Sequence, residues 1–222
     1  MLKSVTLRLS RTLSAGVLHK ALSTAAAATV PITTLSGFLG TGKSTLLKHL
    51  LENKQGMRIG VIVNREISST GEIDSAPLLS MASAANEGII QLEGGCVCCS
   101  DAAELLASIG KLQQVAAARG ESWDHIIIEA SGVAFPREIR NNLVEAALVQ
   151  PEQMSDTALR RMVTVVDASA FLTNFEEKQP IKQRPDLGAE DMPNLFGQRP
   201  VVDLMCEQVT RSCLIWDPDP GS

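Results

Sequence analysis

One stretch leaves the backbone little freedom. Gly37-Phe38-Leu39-Gly40-Thr41-Gly42-Lys43-Ser44 reads G-x-x-x-x-G-K-S and is followed at once by Thr45-Leu46-Leu47. A phosphate chain demands a ring of backbone N–H groups, and only small residues let the chain curl that closely around it. Gly37, Gly40 and Gly42 meet that demand. Lys43 then brings a cation to the outer phosphates, and Ser44 offers a hydroxyl to Mg²⁺. The pattern requires a buried strand before it and a helix after it. Thr29 to Ser36 is β-branched and apolar, as such a strand must be. Leu46, Leu47, Leu50 and Leu51 recur at helical spacing over Thr45–Asn53. The helix N-terminus adds its dipole to the anion site.

Downstream, short Ile/Val runs alternate with helical patterns. Strands are expected at Arg58–Val63, Gly88–Leu92, Trp123–Ile128 and Met162–Asp167. Helices are expected at Ser75–Ala85, Asp101–Arg119, Pro136–Leu148 and, more weakly, Pro200–Val209. Strands and helices in this alternation predict an α/β fold: a three-layer parallel sheet with helices on both faces, as in P-loop NTPases. The pattern fades from Phe171, and Asn174–Arg199 reads as a proline-rich surface insertion. The expected organisation is an extension over 1–28, a P-loop domain over 29–209 and a divergent tail over 210–222.

Residues 1–28 are basic and Ser/Thr-rich, and the first acid in the chain is Glu52. That composition predicts a mitochondrial or plastid transit peptide, with a disordered extension of a cytoplasmic protein as the alternative. Over the whole chain the balance is nonetheless acidic, with net charge -5, and aromatics make up 3% of residues with no Tyr. Neither a basic face nor a stacking platform for nucleic acid is expected. No apolar run reaches the length of a membrane span.

Two further constellations carry chemistry. Glu129-x-x-Gly132 ends a strand, where ligands bind in an open parallel sheet. Glu129 there is placed to hold Mg²⁺, directly or through water, and the Gly132 N–H to meet a γ-phosphate. A solvated strand-end glutamate is the competing reading. Cys96, Cys98 and Cys99 form C-x-C-C behind Gly94-Gly95. Three thiolates this close call for a compensating cation, and soft sulfur suits Zn²⁺. Buried cysteine packing and a redox pair are the alternatives. Glu66, Glu72 and Asp74 lie on the loop after the second strand, as further metal contacts or as plain solvated acids. Asp167 either supports the site or caps the next helix, with capping favoured. His125 reads as packed rather than catalytic.

Taken together, the Gly37–Thr45 loop, Glu93-Gly-Gly-Cys-Val-Cys-Cys99, Glu129-Ala-Ser-Gly132 and Val163-Thr-Val-Val-Asp167 resemble the CobW-like family of P-loop GTPases, which includes the zinc-regulated GTPase metalloprotein activators. The resemblance runs from about Thr29 to Val209. It implies a GTP- and Mg²⁺-dependent switch that carries Zn²⁺, or Co²⁺, on Cys96, Cys98 and Cys99 and hands it to a client metalloprotein. It also allows a homodimer. Lys43 and Glu129 would be the residues of hydrolysis, and Gly37, Gly40, Thr41, Gly42, Lys43, Ser44, Thr45 and Gly132 those that hold nucleotide. Two departures stand out. The family's switch loop usually reads Asn-Glu-Phe/Tyr-Gly, where this chain has Asn64-Arg65-Glu66-Ile67. The guanine-reading Asn-Lys-x-Asp motif occurs nowhere in the chain. Cys213–Trp216 is a candidate for the strand that would precede it. The sequence therefore reads as a truncated isoform or an altered gene model, and a non-catalytic metal-binding product is the alternative function. A small-molecule kinase would share the P-loop but leave C-x-C-C without a role.

Overall fold

The structure, a computed structural model, describes residues 29–52, 56–63, 88–91, 102–189, 192–212 and 214–216. The candidate residues Glu66, Glu72, Asp74, Cys96, Cys98 and Cys99, the expected helix over 75–85 and the 1–28 extension lie outside them.

Among the described residues six strands build the sheet: β1 (Val30–Ser36), β2 (Ile59–Val63), β3 (Ile89–Gln91), β4 (His125–Glu129), β5 (Thr157–Val165) and β6 (Leu214–Trp216). They lie in the order β3-β2-β4-β1-β5-β6, and every pairing is parallel. The helices are α1 (Lys43–Leu51), α2 (Ala102–Ala118), α3 (Pro136–Val149), α4 (Pro151–Met154), α5 (Ala168–Phe175), α6 (Asn194–Gly197) and α7 (Val201–Thr210). Among the described residues no helix is long and apolar enough to cross a membrane.

Alternation along the strands explains the three layers. Side chains of successive strand residues point to opposite faces. Ile32, Ile62, Ile126 and Ile128 pack with Leu105, Ile109 and Leu112 of α2 and with Ile139 and Leu143 of α3. Their neighbours Leu35, Val61, Val63, Ile127 and Val165 pack with Leu47 of α1. Both faces are apolar, so both need helices, and the strands read as continuous Ile/Val runs. Trp123 closes the first core at the foot of β4, donating its indole N–H to the Leu112 carbonyl at 2.7 Å. Gly88 is small for that reason: a Cβ there would lie 2.5 Å from the Trp123 ring.

A third apolar cluster corrects the expectation for 174–199. The segment is not a surface insertion. Ile181, Leu187, Ala189 and Met192 are buried against Phe38, Val133 and Phe135, and Val201, Leu204 and Met205 of α7 complete the cluster. The backbone here runs as two short 3-10 turns, Ile181–Gln183 and Pro185–Leu187, and the helix α6. An antiparallel bridge from Pro180 to Pro200 ties the segment at its base. Turns of this kind have no fixed apolar period, which is why the core they contribute leaves no trace in the sequence pattern.

The strand expected at 162–167 also begins earlier, at Thr157. Ile32 pairs with Leu159 and Thr33 with Arg161, so Arg160 is an extra residue in β5, a β-bulge. Bulge and adjacent arginines together break the period that would have marked the strand's first half. As anticipated, the segment after residue 213 supplies a strand: β6 pairs with Val163–Val165 and carries the sheet into the tail.

Candidate functional site

Topology places the site. From β1 the chain crosses α1 to reach β2 beyond β4, and from β4 it crosses back over β1 to β5. The C-terminal ends of β1 and β4 therefore meet where successive connections diverge, the crevice in which open α/β sheets bind ligands. Register pairs Leu35 with Glu129, so the loop leaving β1 starts beside the Glu129 carboxylate.

That loop is built by glycine. Gly37, Gly40 and Gly42 have φ of 140°, 75° and 89°, in the left-handed region that favours glycine. Gly37 is also constrained by space, since a Cβ would lie 2.4 Å from the Val165 carbonyl oxygen. Thr41 donates its hydroxyl to the Phe38 carbonyl at 2.8 Å, closing the turn. Lys43 opens α1 and is buried, and its ammonium donates to the Gly37 and Phe38 carbonyls at 3.0 and 3.2 Å. A buried ammonium needs such partners. The same carbonyls hold it inside the curl of the loop, where an anion would sit.

Ser44 and Glu129 meet. The serine hydroxyl donates to Glu129 Oε1 at 2.8 Å across 85 residues of sequence. Glu129 is 5% exposed, a carboxylate drawn out of water at the sheet edge. Hydroxyl and carboxylate are hard oxygen donors of the kind Mg²⁺ prefers, so this pair fits the cation the motif calls for. Thr45 follows on the exposed side of the first turn of α1. Gly132 lies directly over the loop: a Cβ on it would meet Leu39 Cγ and Cδ2 at 2.7 Å and the Leu39 nitrogen at 2.9 Å. The structure thus gathers Gly37, Gly40, Thr41, Gly42, Lys43, Ser44, Glu129 and Gly132 at one edge.

Asp167 plays the capping part. Its Oδ1 accepts from the Ser169 and Ala170 N–H groups at 2.9 and 3.3 Å and from the Ser169 hydroxyl at 2.6 Å. The Ser169 hydroxyl holds its carboxyl below the ordinary aspartate range. His125 is half-buried at the opposite end of β4 and bonds Thr33 Oγ1 through Nε2 at 2.8 Å. Burial, and secondarily the charge of Arg161, lower its pKa.

Residues that sequence reasoning passed over hold the loop after β4. Gln208 of α7 is 2% exposed and donates its amide to the carbonyls of Gly132 and Ala134 at 3.1 and 3.2 Å. The preceding Glu207 is also buried. It accepts from the Arg137 backbone N–H at 3.2 Å and from the Arg199 guanidinium at 3.2 Å. Arg199 in turn stacks over the Phe135 ring, 4.2 Å from its centroid. A hydroxyl chain adds to this clamp: Thr164 bonds Ser36 at 2.7 Å and donates to the Gln208 carbonyl at 2.8 Å. The one signal available was a pair of adjacent polar residues, Glu207 and Gln208, in a weak amphipathic helix. Their partners lie some 70 residues away in sequence.

Among the described residues no group of three or more His, Cys, Asp or Glu side chains could hold a metal ion. The cysteine-bearing stretch joins β3, which ends at Gln91, to α2, which begins at Ala102. β3 is parallel to β2, so the chain leaves it at the sheet edge that carries the Gly37–Ser44 loop.

Comparison with known proteins agrees with this frame. The chain is 34% identical over 196 residues to zinc-regulated GTPase metalloprotein activator 1 of Dictyostelium discoideum, which spans 84% of this chain and 39% of that protein. It is 33% identical over 193 residues to the zinc chaperone CobW of a Sinorhizobium species, covering 84% of this chain and 49% of the relative. The chain thus spans less than half the length of either. Among solved structures, HypB from Helicobacter pylori in complex with nickel aligns over 91% of this chain and 83% of its own, at TM-score 0.44 and 15% identity. That likeness adds nothing to a fold the strand order already defines. The family model for the CobW/HypB/UreG nucleotide-binding domain matches residues 31–194. With the phosphate-loop geometry, the strand order and these matches in agreement, the chain belongs to the CobW/HypB/UreG nucleotide-binding domain family.

Proposed function

We propose that this chain binds and hydrolyses GTP, and that nucleotide state governs the passage of zinc, carried on Cys96, Cys98 and Cys99, to a client metalloprotein. The observation that carries the nucleotide half is the Ser44–Glu129 contact beneath a loop whose lysine is already buried and aimed inward. Backbone N–H groups from Gly40 to Ser44 would wrap the phosphates, and Lys43 would exchange its carbonyl partners for phosphate oxygens. Ser44 and Glu129 would hold Mg²⁺, which when bound neutralises charge on the β- and γ-phosphates. The Gly132 N–H would meet the γ-phosphate, and Gln208 would keep the Gly132 loop in register through its carbonyl. Attack of water at the γ-phosphorus breaks its bond to the bridging oxygen and gives GDP and phosphate. The protein's part is position and charge rather than covalent chemistry. Zinc is the cargo. The names of the metalloprotein activator and zinc chaperone relatives support that half of the reading, as does the density of thiols in C-x-C-C.

The test is titration calorimetry with GTP and ATP on the wild-type chain and on Lys43→Ala. Micromolar, guanine-selective binding that Lys43→Ala abolishes is the expected result. Unchanged binding in the variant refutes the nucleotide site. The density of thiols at Cys96, Cys98 and Cys99 also supports a second reading, metal binding without nucleotide hydrolysis. Weak binding of both nucleotides beside intact zinc binding would select it.

A further inference from the structure

Away from the phosphate loop lies an open cleft of about 520 Å³, within the roughly 300–1,000 Å³ range typical of ligand sites. Five arginines line it: Arg137 and Arg140 of α3, Arg160 and Arg161 of β5, and Arg211 just beyond α7. All five are exposed, and no acidic side chain is among its described lining residues. Among the described residues, Arg137 reaches Glu207 at 3.5 Å and Arg160 donates to the Thr29 hydroxyl at 3.1 Å. In a chain of net charge -5, such a concentration of one sign runs against the overall balance.

The β-bulge explains how the cluster forms. In a regular strand, adjacent residues face opposite sides of the sheet. Because Arg160 is the extra residue between the Ile32–Leu159 and Thr33–Arg161 pairs, the strand is re-aimed there. Arg160 and Arg161, neighbours in sequence, both reach the cleft. Leu159 and Met162 on either side of them, with Pro136 at the start of α3, give the cleft apolar surface between the charges.

We infer that this cleft is a docking site for an acidic peptide segment of a partner protein, one that interleaves carboxylates with aliphatic residues. Arginine forks match carboxylates in two-point contacts, and arginine clusters are a recurrent way of reading acidic motifs. The apolar surface favours a peptide over inorganic phosphate, which would leave Leu159 and Met162 unused. Nucleic acid is disfavoured by the acidic balance of the chain and by the 3% aromatic content.

The probe is a short fluorescein-labelled peptide of alternating Glu and Leu, titrated with the full chain and followed by anisotropy. Its Gln–Leu counterpart, pyrophosphate and a poly-uridine RNA serve as alternative ligands. Saturable binding of the Glu–Leu peptide is expected, weakening as salt rises. It should fall about tenfold in the double variant Arg160→Gln/Arg161→Gln through loss of two charge-assisted contacts. Lys111→Gln/Lys48→Gln, which removes the same charge outside the cleft, should leave it unchanged. Melting curves on both variants establish that they are folded. Equal binding by the double variant, equal binding of the Gln–Leu peptide, or cleft-dependent capture of pyrophosphate or RNA without the peptide overturns the inference. Nucleotide plays no part in the assay, so its outcome is separate from that of the GTPase reading.

Discussion

Gly132→Ala isolates the contact between the two halves of the nucleotide site. Gly132 is not among the glycines held at positive φ, so alanine has no backbone penalty there. The obstacle is space alone. The new methyl would lie 2.7 Å from Leu39 Cγ and Cδ2 and 2.9 Å from the Leu39 backbone nitrogen, well inside van der Waals contact. A side-chain tip can swing aside, but the nitrogen belongs to the phosphate loop itself, and Phe38 beside it is anchored in the third apolar cluster. Relief therefore requires the loop, the Gly132 backbone or both to move. Overpacking of this kind costs about 2 kcal/mol, which for a domain of this size lowers the melting temperature by about 4–8 °C. If the same displacement must be undone to bind nucleotide, GTP affinity falls about 30-fold. Calorimetric GTP titration and thermal melts measure the two losses. Leu39→Ala removes Cγ and Cδ2 but leaves the nitrogen, so Gly132→Ala/Leu39→Ala should recover part of the deficit, with a coupling of at least about 0.5 kcal/mol. Additive losses, or a Gly132→Ala protein with wild-type affinity and melting temperature, would refute the argument.

Two further outcomes follow from the same geometry. Glu129→Gln keeps an acceptor for the Ser44 hydroxyl and removes the buried charge. Mg²⁺ titrations of GTP binding should shift to about tenfold or more higher Mg²⁺, while the melting temperature holds or rises because a carboxylate no longer has to be kept out of water; unchanged Mg²⁺ dependence would exclude this pair as the cation site. His125 should make the fold sensitive to acid. Burial lowers its pKa below the ordinary value of 6.5, so the unfolded chain takes up a proton before the folded one does. Its contribution is complete above about pH 6.5 and is lost as pH falls toward the folded value. Melts across that window should show less acid destabilisation in His125→Gln than in wild type, and identical profiles would remove His125 as the cause.

Much of the frame was legible in advance because its signals are local. The glycines of the Gly37–Ser44 loop answer to their own φ and to the space beside them. The Ile/Val runs of β1, β2 and β4 are apolar on both faces, and α2 stops at Ala118, two residues before Gly120 at φ 68°. Asp167 could be read as a cap because its partners stand two and three residues on. The segment over 174–199 was misread for the converse reason. Its 3-10 turns bury Ile181, Leu187 and Met192 at irregular intervals, and no periodic template detects them. The first half of β5 was missed because the bulge at Arg160 breaks the alternation by which strands are recognised.

The amino-acid order by itself determined that a phosphate loop sits between a buried strand and a helix, and that parallel strands with helices on both faces follow. Both properties reside in residue type and spacing over a dozen positions or fewer. Only the tertiary structure decided which distant groups meet there. Strand order sets β4 beside β1, and with it Glu129 against Ser44 across 85 residues. The packing of α7 brings Gln208 onto the Gly132 and Ala134 carbonyls. One inserted residue in β5 turns two consecutive arginines into a single cleft. None of these has a local signature, because each depends on free energy gained by burying surfaces far apart in the chain, and the polar contacts are carried along by that packing.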